Sequence, residues 1–328
     1  SNSHIQTVAV LTQYNARSLN EHLSSAKWWN FGRKQGGLFL FTPTVTAENS
    51  DWYRGTADAM YQNIDFLKRR HEPYVIISSG DCVYKLDFNR VLDFHIEKKS
   101  DITVVCKDMM YNDDVSRFGV VRMDDESRIT EFDEKPIEAS SNTISTGIYV
   151  IRRRQLIELL EAAAEENRFD FVNDILVRYK NVKKIYGYKI NSYWNNIADI
   201  DAYFKTNMDF LRPDVRSYFF REEPTICSKV DDLPPAKFNP GSDISNSLVS
   251  SGCIINGSVE DSVLFKQVFV GKNTTVKNCV LLNDVYIGDN VHLENCIVES
   301  RGTINPNTCY CGEDEVMIVK EKNVRYVI

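Results

Sequence analysis

The first candidate for chemistry in this chain is a carboxylate that follows an apolar run. Tyr74-Val75-Ile76-Ile77 is continuous and apolar, and it ends in Ser78-Ser79-Gly80-Asp81. If that run is a buried strand, Gly80 and Asp81 lie beyond its carboxyl end, where open α/β sheets bind their ligands. An Asp after Gly also suits an ordinary turn. Further on, Tyr193-Trp194-Asn195-Asn196 carries two adjacent amides, with Asp199 three residues after the second. An amide oxygen can coordinate a cation, but it brings no charge to it. Gly55-Thr56-Ala57 reads in isolation as a helix start, and Lys135 before Pro136 as a solvated lysine.

The elements that must position these residues alternate over the first two-thirds of the chain. Strands are expected at 7–12, 37–41, 74–77 and 101–107. Helices are expected at 57–70, where Ala59, Met60, Ile64 and Leu67 keep helical spacing, and at 88–99. This pattern predicts a mostly parallel, mixed sheet covered by helices, an α/β domain of Rossmann-like character. From 118 the strands shorten (118–123, 129–132, 144–151), and helices follow at 155–165, 171–179 and 200–211. Arg212-Pro213 opens a proline-bearing stretch. The expected organisation is a first domain over 1–212, a linker over 213–239 and a second domain over 240–328.

The last ninety or so residues obey a different period. Asp261-Ser-Val-Leu-Phe-Lys-Gln-Val-Phe-Val-Gly-Lys-Asn aligns with Asn278-Cys-Val-Leu-Leu-Asn-Asp-Val-Tyr-Ile-Gly-Asp-Asn. Apolar residues recur six apart, at Leu264, Val270, Val276 and Leu282, then at Val285, Val291 and Ile297. Six steps of about 100° put a helical residue roughly 120° from its partner, so no helix face collects them. Three short strands per coil do, as in a parallel β-helix of hexapeptide repeats. Such a solenoid commonly presents surfaces for oligomerisation.

Bulk composition narrows the function classes. At 328 residues, with 43% hydrophobic and 26% charged residues, the chain is globular and long enough for two domains. A net charge of -7 disfavours nucleic acid as a partner. No run of 18 apolar residues predicts a membrane span. Eight cysteines lie mostly in apolar strand-like runs without Cys-x-x-Cys spacing, so they read as small hydrophobes in a reducing cytoplasm, with zinc ligands or disulfides as the alternatives. Trp28 and Trp29 read as packing residues or as part of a subunit contact.

A sheet domain followed by hexapeptide repeats resembles the sugar-nucleotide pyrophosphorylases, whose β-helix is left-handed. Successive landmarks narrow the resemblance to bacterial glucose-1-phosphate adenylyltransferase: 52–59 (WYRGTADA), 79–87 (SGDCVYKLD), 118–121 (FGVV), 131–136 (EFDEKP), 145–149 (STGIY), and Tyr193-Trp194 through Asn207-Met208-Asp209. They come in the family's order along nearly the whole chain. The resemblance implies a GT-A-like nucleotidyltransferase domain and a reaction in which glucose 1-phosphate attacks the α-phosphorus of ATP and pyrophosphate leaves. Two anions meet in that reaction, which calls for Mg²⁺ on carboxylates and Lys or Arg on phosphates.

Carried over residue by residue, the resemblance makes Asp81 the first metal carboxylate and the catalytic position. Lys135 becomes the lysine on the sugar phosphate, with Glu134, Ser145, Gly147 and Gly80 around the substrates, and Gly55 and Thr56 belong to a loop near the base. Two departures stand out. Cys82 replaces a usual His, and Tyr193-Trp194-Asn195-Asn196-Ile197-Ala198-Asp199 stands where active relatives read Tyr-Trp-x-Asp-Val-Gly-Thr. Asn196 therefore occupies the second metal position, and Asp199 is too far along an extended segment, by about 10 Å, to replace it.

The family's Gly-Gly-x-Gly-x-Arg loop, which binds triphosphate through backbone N–H groups, occurs nowhere in the 328 residues. The chain opens on Ser1-Asn2-Ser3-His4 without Met or signal peptide and enters a strand at once. The N-terminal part of the first domain is accordingly expected to be missing. Together these departures are most similar to the GlgD-type subunit, a weakly or non-catalytic, regulatory partner that joins a catalytic homologue in a tetramer for glycogen biosynthesis. Mg²⁺ at Asp81 is then expected to be bound weakly or not at all. A catalytically competent adenylyltransferase is the alternative, and a hexapeptide acyltransferase using His292 as base is a third reading.

Overall fold

A computed structural model describes residues 2–24, 26–31, 36–44, 52–110, 113–224, 226 and 228–322. The chain divides into two compact units, one of residues 1–80 and 86–192, the other of residues 81–85 and 193–328.

In the first unit, β1 (Thr7–Leu11) pairs in parallel with β2 (Gly37–Phe41), and α1 (Ala16–Leu23) lies between them in sequence. The helix expected over 57–70 is two, α2 (Thr56–Gln62) and α3 (Ile64–Lys68), broken at Asn63. The Asn63 amide donates to the Ala59 carbonyl at 2.9 Å and to the Tyr53 hydroxyl at 3.1 Å. A short polar side chain that bonds its own helix's backbone competes with the regular ladder.

The main sheet takes β3 (Tyr74–Ser78), and after β4 (Cys82–Tyr84) and α4 (Phe88–Glu97) it takes β5 (Ile102–Asp108), β6 (Gly119–Met123), β7 (Ile129–Glu134) and β8 (Thr143–Arg152). After α5 (Arg153–Glu165) and a π-helical segment at Val172–Val177 it adds β9 (Ile185–Ile190). Its six strands run β7-β6-β8-β5-β9, with β3 also on β8. The sheet is mixed, as expected, but antiparallel pairings dominate it and only β5–β9 is parallel. The reason lies in the connections. Parallel neighbours need a long crossover, usually helical, whereas β6, β7 and β8 follow one another without a helix. Leu156, Leu159, Leu160 and Ala163 recur at helical spacing on α5 and are buried, packing with Ile102, Val104, Phe132, Ile151, Ile175 and Leu176 in one core. Cys106 lies fully buried in that core, where its thiol acts as a small hydrophobe.

In the second unit, β4 pairs antiparallel with β10 (Trp194–Asn196). Next comes α6 (Ile200–Asp209), and the stretch read as linker carries α7 (Pro213–Phe220), with Pro213 in its first turn. Lys85 is buried and anchors the end of α7 by donating to the carbonyls of Tyr218 and of Glu222, the latter at 3.1 Å.

From Lys237 onward short strands stack into three five-stranded parallel sheets, a β-solenoid. The coils are 17 residues long where the corner asparagines face each other, and 15 at Asn246 and Asp261. The inward row is Leu264, Val270, Val276, Leu281, Ile287, Leu293, Val298 and Ile304, all fully buried. Its steps are six, six and five, because a 17-residue coil is one short of three hexapeptides. Leu282, expected in this row, is therefore displaced: Leu281 is the partner of Leu264, and Leu282 is half-buried beside Phe204, Val280 and Ile297 outside the main core.

The corners explain the abundance of asparagine. Asn273, Asn290 and Asn307 have φ of 54°, 57° and 60°, and Asn278 and Asn295 have 48° and 52°. Asn tolerates this left-handed region better than other residues with a Cβ. Its amide then bonds the next coil: Asn273 to Asn290 at 3.3 Å, Asn290 to Asn307 at 3.1 Å and Asn278 to Asn295 at 3.2 Å.

Candidate functional site

The residues singled out in the sequence fall into two groups, one in each compact unit. In the unit of 81–85 and 193–328, the short β4–β10 ladder sets Cys82 opposite Asn196. The Ile197 N–H donates to the Asp81 carbonyl at 2.7 Å. Residues 115 positions apart are thus made neighbours by two three-residue strands, and Asp81 and Asn196 share one end of that ladder.

Both ends of the Asn196 amide are engaged. Its oxygen accepts the Ala198 N–H at 3.0 Å, and its nitrogen donates to the Cys82 sulfur at 3.7 Å. The Cys82 thiol in turn donates to Asp81 Oδ1 at 3.4 Å. Burial, reinforced by the neighbouring Asp81 charge, pushes that thiol up to about 12, so it is neutral at physiological pH. A neutral sulfur is a poor ligand for a hard cation. Among Asp81, Cys82 and Asn196, then, only Asp81 supplies a charge. This donor set does not fit the two-carboxylate Mg²⁺ site implied by the sequence resemblance.

Asp199 is committed elsewhere. Its side chain caps α6, accepting the Ala202 N–H at 2.8 Å. A side-chain oxygen at this position satisfies a helix N–H that would otherwise lack a partner, so one Asp199 oxygen is engaged at the start of α6.

Asn195, next to Asn196, has a structural task. Its amide donates to Asp209 Oδ2 at 3.1 Å and to the Tyr193 hydroxyl at 2.7 Å, and Tyr193 donates to the same Asp209 oxygen at 2.8 Å. The two amides of one dipeptide point to opposite sides of a strand, one toward α6 and the other toward Cys82. Sequence reasoning missed the Asn195–Asp209 pair, because partners 14 positions apart across a strand and a helix leave no periodic trace.

In the unit of 1–80 and 86–192, Gly55 precedes α2. A Cβ there would meet the Phe169 carbonyl oxygen at 2.4 Å, so the close approach of the two backbones requires glycine. The N–H groups of Ala57 and Asp58 donate to that same carbonyl at 2.8 and 3.2 Å, and the Phe171 N–H donates to Thr56 Oγ1 at 2.9 Å. Gly147 has a φ of 74°, and its carbonyl accepts the Ser79 N–H at 2.9 Å. Gly80 has open space around its Cα.

Ser145 is buried, with its hydroxyl 3.3 Å from that of Tyr149. Lys135 directly follows β7 and is exposed, with a left-handed φ of 49°. Glu134 is half-buried; burial raises its pKa, the Lys135 charge opposes that shift and the Asp170 charge adds to it. Asp170 is a neighbour that the sequence did not single out, although it lies between Phe169 and Phe171, which hold Gly55 and Thr56. This unit therefore presents a lysine, two interacting carboxylates and buried hydroxyls, groups able to bind a polyhydroxylated phosphate ester.

Of the remaining candidates, His292 is half-exposed beside Glu294, at 3.5 Å. Trp29 packs on His22 with ring centroids 5.2 Å apart, while Trp28 is exposed. Cys227 lies outside the described residues. No helix among the described residues is long and apolar enough to cross a membrane.

Comparison with known proteins gives two family matches, nucleotidyl transferase over residues 1–212 and the GlmU-like C-terminal hexapeptide family over 234–322. The glucose-1-phosphate adenylyltransferase of Clostridium acetobutylicum is 38% identical over 277 residues, which is 84% of this chain and 73% of that protein. The enzyme of that name from Bacillus subtilis is 36% identical over 278 residues, covering 84% and 73%. That from Pseudothermotoga lettingae is 38% identical over 275 residues, covering 83% and 65%.

Proposed function

The chain belongs to the glucose-1-phosphate adenylyltransferase family, and from that premise we propose that it is the family's GlgD-type subunit, weakly or non-catalytic itself. In this reading it assembles with a catalytic homologue into a heterotetramer in the cytoplasm and tunes that partner's formation of ADP-glucose and pyrophosphate from ATP and glucose 1-phosphate. The observation that carries the reading is Asn196: an amide, bonded at both ends, beside the single carboxylate Asp81. Loss of one unit charge roughly 4 Å from a cation, at an effective dielectric near 20, costs on the order of 4 kcal/mol. That is about a thousandfold in rate. Mg²⁺ is then not held productively.

Substrate contacts on this chain have a different part to play. Lys135 would pair with the phosphate of glucose 1-phosphate, and the half-buried Glu134, with Ser145, would receive sugar hydroxyls. A chain that retains these groups and lacks the second carboxylate binds substrate or effector without turning it over.

The deciding experiment measures ADP-glucose formation from ATP and glucose 1-phosphate with Mg²⁺, for the full-length protein alone, for a catalytic homologue alone and for the two mixed. The expected result is inactivity alone and a changed rate or activator response in the mixture. Substantial activity alone, abolished by Asp81→Ala, would overturn the reading and establish a competent adenylyltransferase in which one carboxylate suffices.

A further inference from the structure

We propose that the outer face of the solenoid at His292–Glu294 and Cys309–Cys311 is a tetrahedral site for a borderline-soft divalent cation, zinc by preference. The two strands are parallel neighbours in register, with His292 opposite Cys309 and Glu294 opposite Cys311. Side chains alternate along a strand. Leu293 is fully buried, which turns His292 and Glu294 outward together, and Cys309 and Cys311 stand on the same face. Four donors of zinc-binding type thus form a square on two adjacent strands.

The separation within each strand fits such an ion. Zinc takes nitrogen and oxygen ligands at about 2.0–2.2 Å and thiolates at about 2.3 Å, so ligand atoms around a tetrahedron lie about 3.3–3.8 Å apart. His292 Nε2 is 3.5 Å from Glu294 Oε2, and Cys309 Sγ is 3.6 Å from Cys311 Sγ. Single ligand atoms of His292, Glu294 and Cys311 all lie within 4.8 Å of one another. Cys309 stands outside that group, 3.6 Å from Cys311 between the two sulfurs, and would join it as the fourth ligand by turning its side chain toward the ion.

Two contrasts set this patch apart from the rest of the solenoid. One coil earlier the same face carries Thr275 and Lys277, and before them Ser258 and Glu260, so the soft donors begin only at His292. Cys253, Cys279 and Cys296 are buried, whereas Cys309 is exposed and Cys311 half-exposed. The small-hydrophobe reading of the cysteines therefore fails for this pair. On binding, each thiol releases its proton to solvent and the imidazole coordinates in its neutral form. The ion would clip the strand at Cys309–Cys311 to its neighbour, a role independent of the nucleotidyl-transfer reading.

The test is titration of the reduced, metal-free full chain with Co²⁺ in the absence of oxygen. Expected are thiolate-to-cobalt charge-transfer absorption and tetrahedral ligand-field bands that saturate at one ion per chain and vanish on adding Zn²⁺. The same bands should be lost in the Cys309→Ser/Cys311→Ser variant and retained in Cys82→Ser. Absence of tetrahedral bands in the reduced protein, or bands of full intensity in the double variant, would overturn the site. A second readout needs no variant: Zn²⁺ should protect Cys309 and Cys311, mapped by peptide, from alkylation by iodoacetamide. Equal labelling with and without zinc would likewise overturn it.

Discussion

Asparagines at the solenoid corners and asparagines in β10 are the same residue under different demands. At the corners, Asn273, Asn290 and Asn307 form a column, each in the left-handed region and each bonded to its neighbour in the column. The demand there is conformational, and it repeats with the coil. In β10 the strand backbone makes no such demand. Asn195 is there to satisfy Asp209, and Asn196 stands where the sequence resemblance implies a charge. A repeated asparagine reports backbone geometry; a single one has to be explained by its particular neighbours.

The strongest way to break this contrast is Asn196→Asp. It sets a second carboxylate beside Asp81 and should raise Mg²⁺-dependent ADP-glucose formation by the full-length chain, up to about a thousandfold if the missing charge is the main deficit. Initial rates against Mg²⁺ concentration check this. An unchanged rate would show that the site is limited by something other than the amide.

Asn195→Asp sharpens the contrast within one dipeptide. It sets a new carboxylate against Asp209 in place of an amide donor 3.1 Å away, so about 2 kcal/mol of stability should be lost at neutral pH. Urea unfolding measures the loss. It should shrink as the pH falls through the carboxylate range, where the pair can share a proton.

The smallest effect belongs to a corner. Asn278→Ala places an ordinary Cβ at a φ of 48° and should cost about 1–2 kcal/mol. Asn278→Gly, which removes the conformational penalty and loses only the amide bond to Asn295, should cost less. Equal costs in denaturant melts would assign the corner to the ladder bond and not to the backbone.

Much of the fold was legible because it is periodic. The solenoid announced itself through spacing that no helix can use, and α5 through Leu156, Leu159, Leu160 and Ala163. Errors came where a local count had to stand for a nonlocal fit. Leu282 satisfied the six-residue rule and still missed the main core, because the 17-residue coil takes one five-residue step. The sheet read as mostly parallel because its first half alternates strand with helix, yet β6, β7 and β8 turn back without a crossover. At the candidate site, Asp81, Asn196, Glu134 and Lys135 were named from motifs. Asp170 was not, and Asp209 entered only as the end of a landmark without its partner, since each matters only through a neighbour brought to it by folding.

By itself the sequence determined what each position can carry: the amide at 196 in place of a charge, the period of the coils and the soft donors at 292, 309 and 311. Those properties belong to single side chains or to regular spacing, and both survive without a fold. Only the tertiary structure decided who faces whom. Strand register places Cys82 against Asn196 and His292 against Cys309, and register is set by burial and pairing across residues distant in the chain.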